Sequence, residues 1–188
     1  MLHRSYLAAL LGLALAGLST PARAGEEAWR QYLDPGNSFL LQHPGTTAPE
    51  LLPDKEPGLL FRVAFEFEQP FQSGENTGSL KFRFQISVWQ NTNHLTAGAW
   101  AAQHFNPKLI LETRPARLAG RDGVVLRTTN LAWASLNNIV ADRDRIYELS
   151  HMDIAANKKM LPEEVRVRWT ATFNRMRESF RLLPAGDK

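Results

Sequence analysis

Residues 59–68 read LLFRVAFEFE and residues 80–89 read LKFRFQISVW, and these two stretches decide the fold of the chain. In both, an apolar side chain alternates with a charged or polar one. Because successive side chains of a strand point to opposite faces, this alternation indicates strands with one buried face. We therefore predict two strands of an antiparallel sheet. Their buried members are Phe61, Val63, Phe65, Phe67, Leu80, Phe82, Phe84, Ile86 and Val88.

Further strands are predicted around this pair. Residues 38–43 form a strand that ends at Pro44 and Gly45, and the proline-rich residues 44–58 form an irregular loop. Toward the C-terminus we predict strands over residues 109–120, 124–141 and 146–152. A tight turn around Asp122 and Gly123 separates the first two of these, and a charged turn from Asp142 to Arg145 separates the last two.

Three helical segments are predicted. Residues 26–33 form a short opening helix, and residues 96–105 form a second helix that Thr96 caps and Asn106 and Pro107 end. The third begins near Pro162 and covers the sheet, and its flanking arginines allow peripheral contact with an anionic membrane as a less favoured alternative. Its apolar stripe is Val165, Trp169, Phe173, Met176, Phe180 and Leu183. The predicted fold class is α+β, an antiparallel β-sheet flanked by helices in an α/β/α sandwich.

The first 24 residues are predicted to be a secretory signal peptide. His3 and Arg4 precede a short apolar run, and small residues at Ala22 and Ala24 suit cleavage after Ala24. Residues 25–188 then form a single domain, large enough for a hydrophobic core. An exported chain without cysteine has no disulfides, so its core alone must stabilise it. We expect a periplasmic protein.

The charge distribution argues against nucleic acid as a partner. Residues 25–113 hold 6 basic and 10 acidic side chains, and residues 114–188 hold 14 basic and 9 acidic ones. The basic excess of the second half is too mild for a dedicated nucleic-acid binder.

Residues 139–153, IVADRDRIYELSHMD, contain the densest cluster of potential metal ligands. Asp142 and Asp144 lie at the predicted turn, whereas His151 lies roughly 23 Å from Asp144 along an extended strand. One cation cannot contact all three side chains, and two aspartates lack the ligand number of a calcium site. We interpret the cluster as a solvated turn, keep Asp142, Asp144 and His151 as candidate binding residues, and predict no metal.

A second candidate site lies at Trp89 and the residues that follow it. Trp89 interrupts the polar face of its strand, and Asn91, Asn93 and His94 come directly after it. A flat apolar ring beside amide donors suits a sugar or a peptide. The favoured interpretation is that Trp89 packs beneath the following helix, beside Trp100.

No motif of a known catalytic site occurs in the chain. The H-E-x-x-H, G-x-S-x-G and phosphate-binding glycine patterns are absent from the sequence. We therefore predict no catalytic residue and no cofactor. The alternative is a small-molecule or metal-binding enzyme that uses His94, His104 or His151, and a third possibility is a periplasmic immunity protein.

Five segments carry a resemblance to a known superfamily: SFLLQHPG, ISVWQNT, LAGRDGVVLRTTN, DRDRIYELSHMD and FNRMRESFRL. Together with the order of elements, they resemble the PsbP/Mog1-like superfamily, including bacterial PsbP-like and DcrB-like exported proteins, over residues 29–183. The resemblance implies a central antiparallel sheet between helices and a non-enzymatic accessory, assembly or binding role. We expect an exported periplasmic protein that acts through its surface on another cell-envelope component, with an envelope protein as its partner.

Overall fold

The structure of the protein is a computed structural model that describes residues 28–53, 56–73, 76–130, 133–156 and 161–184, without the side chains of residues 71–77. The predicted signal peptide over residues 1–24 lies outside the described residues. Within the described ranges, neither helix has the length and apolar character needed to cross a bilayer.

The described residues form ten strands, two α-helices and a short 3₁₀ turn over Pro107–Leu109. The strands are β1 Trp29–Leu33, β2 Phe39–Pro44, β3 Pro49–Leu52, β4 Leu59–Ser73, β5 Asn76–Gln90, β6 Ile110–Leu118, β7 Arg121–Thr129, β8 Ala134–Asp142, β9 Arg145–Met152 and β10 Arg181–Leu182. The helices are α1 Ala97–His104 and α2 Glu163–Ser179.

The strands assemble into two antiparallel sheets. The larger has the order β3-β4-β5-β9-β8-β7-β6, and the smaller has the order β1-β2-β10. Long β4 and β5 pair along nearly their whole length, as their alternation predicts. The predicted α+β class with an antiparallel sheet is therefore confirmed.

The main core lies between the larger sheet and α2. All the apolar members of the β4 and β5 alternation that were predicted to be buried pack into or against this core. Phe173 and Met176 of α2 and Phe39 and Leu41 of β2 complete it, so α2 and the smaller sheet cover the same face. Each fully buried large apolar side chain contributes about 1.5–3 kcal/mol to folding.

The opposite face of the larger sheet is only partly covered. Thr96 caps α1 by accepting a hydrogen bond from the Ala99 N–H at 3.2 Å, as predicted. Trp100 of this helix packs against Trp89, Leu126 and Ile146 in a second, smaller core. Because α1 is short, the rest of this face stays open, which positions the candidate site described below.

Helix α2 begins as predicted after Pro162 but ends earlier than its apolar stripe. The helix stops at Ser179, and Phe180 takes an extended conformation that leads into β10. Phe180 is nevertheless fully buried, because it packs against Phe39 and Tyr147. The helical prediction is thus wrong for Phe180 and Leu183. The Leu183 N–H instead donates to the Ser38 carbonyl at 2.9 Å.

Two predictions near the N-terminus are also wrong. The expected opening helix over residues 26–33 is strand β1 in its described part, because the backbone from Trp29 to Leu33 pairs with β2. The irregular loop expected over residues 44–58 contains β3, which pairs with β4. Pro49 is the first residue of that strand, a position where the missing N–H is tolerated.

The tight turn between β6 and β7 lies at Ala119 and Gly120, not around Asp122 and Gly123. Ala119 and Gly120 have φ values of 51° and 77°, which a two-residue hairpin turn with left-handed residues requires. Gly123 instead lies within β7, opposite Val140 of β8. A Cβ at Gly123 would lie 2.3 Å from the Ile139 carbonyl oxygen, so this glycine permits the close approach of two strands.

We expect Gly123→Ala to lower the free energy of unfolding by about 2 kcal/mol or more, because the methyl group would push β7 away from β8. The matched control is Gly98→Ala in α1, where the nearest atom to a Cβ is the Val124 Cγ1 at 3.7 Å. That change should instead stabilise the protein by about 0.5–1 kcal/mol, since alanine favours a helix. Urea unfolding measures both changes, and equal effects would contradict this account.

Candidate functional site

A groove lies on the face of the larger sheet that α1 leaves open, here called the sheet-face groove. Its volume is about 540 Å³, and its floor is formed by side chains from β5, β7, β8 and β9. Phe105, Trp133 and His151 are the aromatic residues that line it. The polar floor residues are Gln85, Thr128, Ser135, Asn137 and Ser150.

Strand register places the amide and hydroxyl groups of the floor side by side. Gln85 lies opposite Ser150, and Ser150 lies opposite Asn137 on the next strand. The Asn137 Nδ2 donates to the Thr128 Oγ1 at 3.0 Å, which fixes the orientation of this buried amide. The floor therefore offers neutral donors and acceptors, which suit reversible binding of a polar surface.

The charged side chains among the described lining residues of the groove are Lys81 and Arg83, and both are basic. Arg83 forms an ion pair with Glu66 of β4. Lys81 lies opposite Glu68 in the same strand pair. The alternation of residues 80–89 predicts Lys81 and Arg83 on the polar, solvent-facing side of the strand. It does not predict that Ser135, Asn137 and Ser150 lie beside them.

An apolar pocket lies next to the sheet-face groove, here called the edge pocket. It has a volume of about 390 Å³ and shares Lys81, Trp133 and Met152 with the groove. Its apolar residues are Leu80, Phe82, Trp133, Met152 and Leu161. A polar groove and an apolar pocket thus meet at the end of β9.

Trp89, a candidate binding residue, lies beneath α1 and is almost fully buried. Its ring centroid is 5.6 Å from that of Trp100 and 4.4 Å from that of His104. Its Nε1 donates to the Glu148 Oε2 at 3.1 Å. In this structure the indole is part of the second core, as in the packing interpretation of the sequence.

Glu148 is a buried acidic residue that was not among the candidates predicted from the sequence. Burial raises the pKa of its carboxyl group, and the Trp89 hydrogen bond and Arg62 oppose this increase. The signal was present in the sequence, since the alternation of residues 146–150 places Glu148 on the same face as buried Ile146. A buried acid next to an apolar residue such as Ile146 is unusual unless its carboxyl is paired.

We expect Glu148→Gln to make the protein more stable at pH 7. The folded state holds the Glu148 proton more tightly than the unfolded state, so this carboxyl lowers stability as pH rises through its folded pKa. Glutamine keeps an acceptor for the Trp89 N–H without a charge. The gain, measured by urea unfolding, should shrink as pH falls toward 4.

A matched control is Glu66→Gln on the exposed face of β4. The hydrogen bond from Arg83 lowers the pKa of Glu66, so any stabilisation from this carboxylate is lost as pH falls. The two variants should therefore change the pH dependence of stability in opposite directions. A Glu148→Gln protein less stable than wild type at pH 7 and above would contradict the assignment.

The other candidates after Trp89 do not form a site with it. Asn91 is buried, and its side chain accepts from the Leu95 N–H at 2.9 Å and donates to the Leu95 carbonyl at 3.0 Å. Asn93 and His94 are exposed, and His94 has a φ of 49°. Asn91 thus holds the turn before α1 in place, and its amide groups are engaged within the protein.

The candidates at the charged turn lie at the end of β9 remote from His151. Asp142 pairs with Arg121 at 2.8 Å, and Asp144 is exposed. The Asp144 carbonyl accepts a hydrogen bond from the Asn91 N–H at 2.6 Å, so the turn is attached to the end of β5 through its backbone. Among the described residues, no group of three His, Cys, Asp or Glu side chains could hold a metal ion.

His151 packs in the main core, between strand β5 and helix α2. Its ring centroid lies 5.6 Å from that of Phe84 on β5 and 5.0 Å from that of Phe173 on α2. Its Nδ1 donates to the Met152 carbonyl at 2.9 Å, and its Nε2 has no hydrogen-bond partner in the described structure. Burial, with a smaller contribution from Arg177, lowers the pKa of His151 to about 4.

This histidine should make stability fall in acid. The unfolded state takes up a proton below pH 6.5, whereas the folded state resists it until about pH 4. His151 then accounts for a loss of about 3 kcal/mol in unfolding free energy between pH 7 and pH 4. His151→Phe keeps a ring in the stack but has no group that titrates in this range. We expect its loss of unfolding free energy between pH 7 and pH 4 to be smaller than that of the wild type by about 3 kcal/mol. Parallel pH profiles of the two proteins in urea unfolding would contradict the prediction.

No protein-family model matches the chain, and no curated protein matches it. Among solved structures, it is similar to the solution structure of cyanobacterial PsbP (CyanoP) from Synechocystis sp. PCC 6803. The TM-score is 0.54 at 11% sequence identity, and the match covers 88% of this chain and 99% of that chain.

The chain has a PsbP-like fold. The resemblance in fold that the sequence predicted is therefore confirmed. At such low identity the likeness concerns the fold alone, so the groove and the edge pocket must be interpreted from the residues of this chain.

Proposed function

We propose that this protein is an exported accessory protein of the cell envelope that binds another envelope protein through the sheet-face groove and catalyses no reaction. The predicted signal peptide supports the export part of the proposal. The superfamily resemblance, which implies small accessory and binding proteins, supports its class.

The observation that carries the proposal is the lining of the groove, which consists mainly of hydroxyls, amides, basic side chains and aromatic rings. Glu148 is enclosed beneath α1 by Trp89. His151 lines the groove, but its side chain is buried and its ring packs with Phe84 and Phe173 on the α2 side. A general acid or base must reach a substrate to transfer a proton. The groove offers hydroxyls, amides and basic groups instead, and these bind a partner without transferring protons.

The groove also has the features of a protein contact. It is open, it combines a polar floor with aromatic residues Phe105 and Trp133, and it continues into the apolar edge pocket. Aromatic side chains beside polar groups are enriched in protein interfaces. These features favour a macromolecular partner over a small enclosed ligand.

The test is site-specific photo-crosslinking of the full-length protein in its own cells. A photoreactive amino acid at Gln85 or Ser135, in the groove, should give one discrete adduct with an envelope protein. The same amino acid at exposed Thr113 on β6 is the matched control and should give no such adduct. Mass spectrometry of the adduct identifies the partner.

Two results would overturn the proposal. Adducts of equal yield at Gln85, Ser135 and Thr113, or none at any position, would remove the groove as a binding site. Recovery of the protein from the cytoplasmic fraction after cell fractionation would overturn the export part.

A further inference from the structure

Among the described residues, part of strand β5 beside the edge pocket pairs with a strand on one side only. β4 pairs with β5 from Asn76 to Trp89, but on the other side β9 pairs only with residues 84–90. The chain leaves the sheet after Met152, where the Asp153 N–H donates to the Ala134 carbonyl at 2.8 Å. Within the described structure, residues 78–83 therefore present backbone donors and acceptors without a neighbouring strand. Such an edge is a template for another strand.

The edge pocket lies on one side of this free segment. Leu80 and Phe82 of the segment form part of its wall, and Met152 and Leu161 complete it. A strand added to the edge would direct every second side chain to the same face as Leu80 and Phe82. A pocket of about 390 Å³ has room for a large apolar side chain at that position.

The sheet-face groove lies on the other side of the same segment. Lys81 and Arg83 point to this face, and the charged groups among the described groove lining are these two basic residues. The intervening side chains of an added strand would meet Lys81, Arg83 and the polar floor. Arg83 also pairs with Glu66 of β4, and Lys81 lies opposite Glu68, so polar side chains suit these positions and an acidic one is favoured beside Lys81.

Resting on the proposed function, we propose that the partner contributes an extended segment that pairs with residues 78–83 of β5 as an additional strand. The segment alternates apolar with acidic or polar residues. Its apolar side chains enter the edge pocket, and its acidic or polar side chains face Lys81 and Arg83. Backbone hydrogen bonds give the affinity, and the pocket and the basic residues give the specificity.

The free backbone explains why the occupant is a polypeptide. Unpaired N–H and C=O groups that become enclosed must find partners, and an extended main chain supplies both at the spacing of a strand. Because β5 lies between β4 and β9, a strand added here would lie in line with β9, beyond its end at Met152. A second copy of this chain is the competing occupant, and the experiment below distinguishes dimerisation from binding of a partner segment.

The test selects a phage library of random linear peptides against the immobilised full-length protein. We expect enriched peptides in which apolar residues alternate with acidic or polar ones. An enriched peptide is then synthesised in two N-methylated forms, each blocking one set of alternate amides. Because only one set faces β5 in an added strand, one form should bind about tenfold more weakly or worse, and the other should bind within about twofold of the parent.

Protein variants locate the contact. Met152→Lys places a charge in the edge pocket and should reduce binding of the enriched peptide by about tenfold or more. Leu111→Lys on β6, at an exposed apolar residue of the opposite edge strand, is the matched control and should bind normally. Thermal unfolding checks that both variants are folded. If Met152→Lys is not, Leu80→Ala takes its place in the binding experiment.

Four results would overturn the inference: no enriched peptide, equal effects of the two N-methylated forms, undiminished binding to the edge-pocket variant, or a concentration-dependent dimer that peptide does not dissociate. These results are distinct from failure of the proposed function. Photo-crosslinks at Gln85 and Ser135 together with any of them would keep the groove as a binding site and exclude strand addition.

Discussion

The packing of Phe173 between the central strands and helix α2 is the contact on which the rest of the structure depends. Its ring lies 5.4 Å from that of Phe67, 5.9 Å from that of Phe84 and 5.0 Å from that of His151. One side chain thus joins β4, β5 and β9 to the helix. Because the chain contains no cysteine, no disulfide can replace this apolar packing. This face supplies most of the core, and the opposite face holds the smaller core beneath α1.

The alternation of β4 and β5 made the main features of the fold predictable. Its period of two identified the buried face directly, and Phe82 and Phe84 lie where that pattern places them. The N-terminal strand was not predictable in the same way. Residues 29–33 carry no strong strand period, and β1 exists because its backbone pairs with β2. Short edge strands are determined by such tertiary pairing more than by local preference.

The candidate site was less accessible to sequence reasoning than the fold. Candidates chosen from local clusters, such as Asp142 and Asp144, lie at a turn, whereas the groove combines side chains from four strands. Strand order decides that Gln85, Ser150 and Asn137 become neighbours, and no periodicity in a single segment encodes that order. The polar face of β5 was a correct partial indication. The extent of α1, which decides how much of that face stays open, follows from where Asn106 and Pro107 end the helix.

The smaller sheet joins residues from both ends of the described chain. Strand β2 pairs with β1 on one side and with β10 on the other, so Leu40 has both Leu33 and Arg181 as neighbours. Contacts between residues so distant in sequence form late, because a long intervening chain must first be ordered. During synthesis, this sheet therefore cannot close until residues 181 and 182 have left the ribosome. Until then, strand β2 lacks one of its two partner strands, and Phe39 of the main core lacks its contact with Phe180.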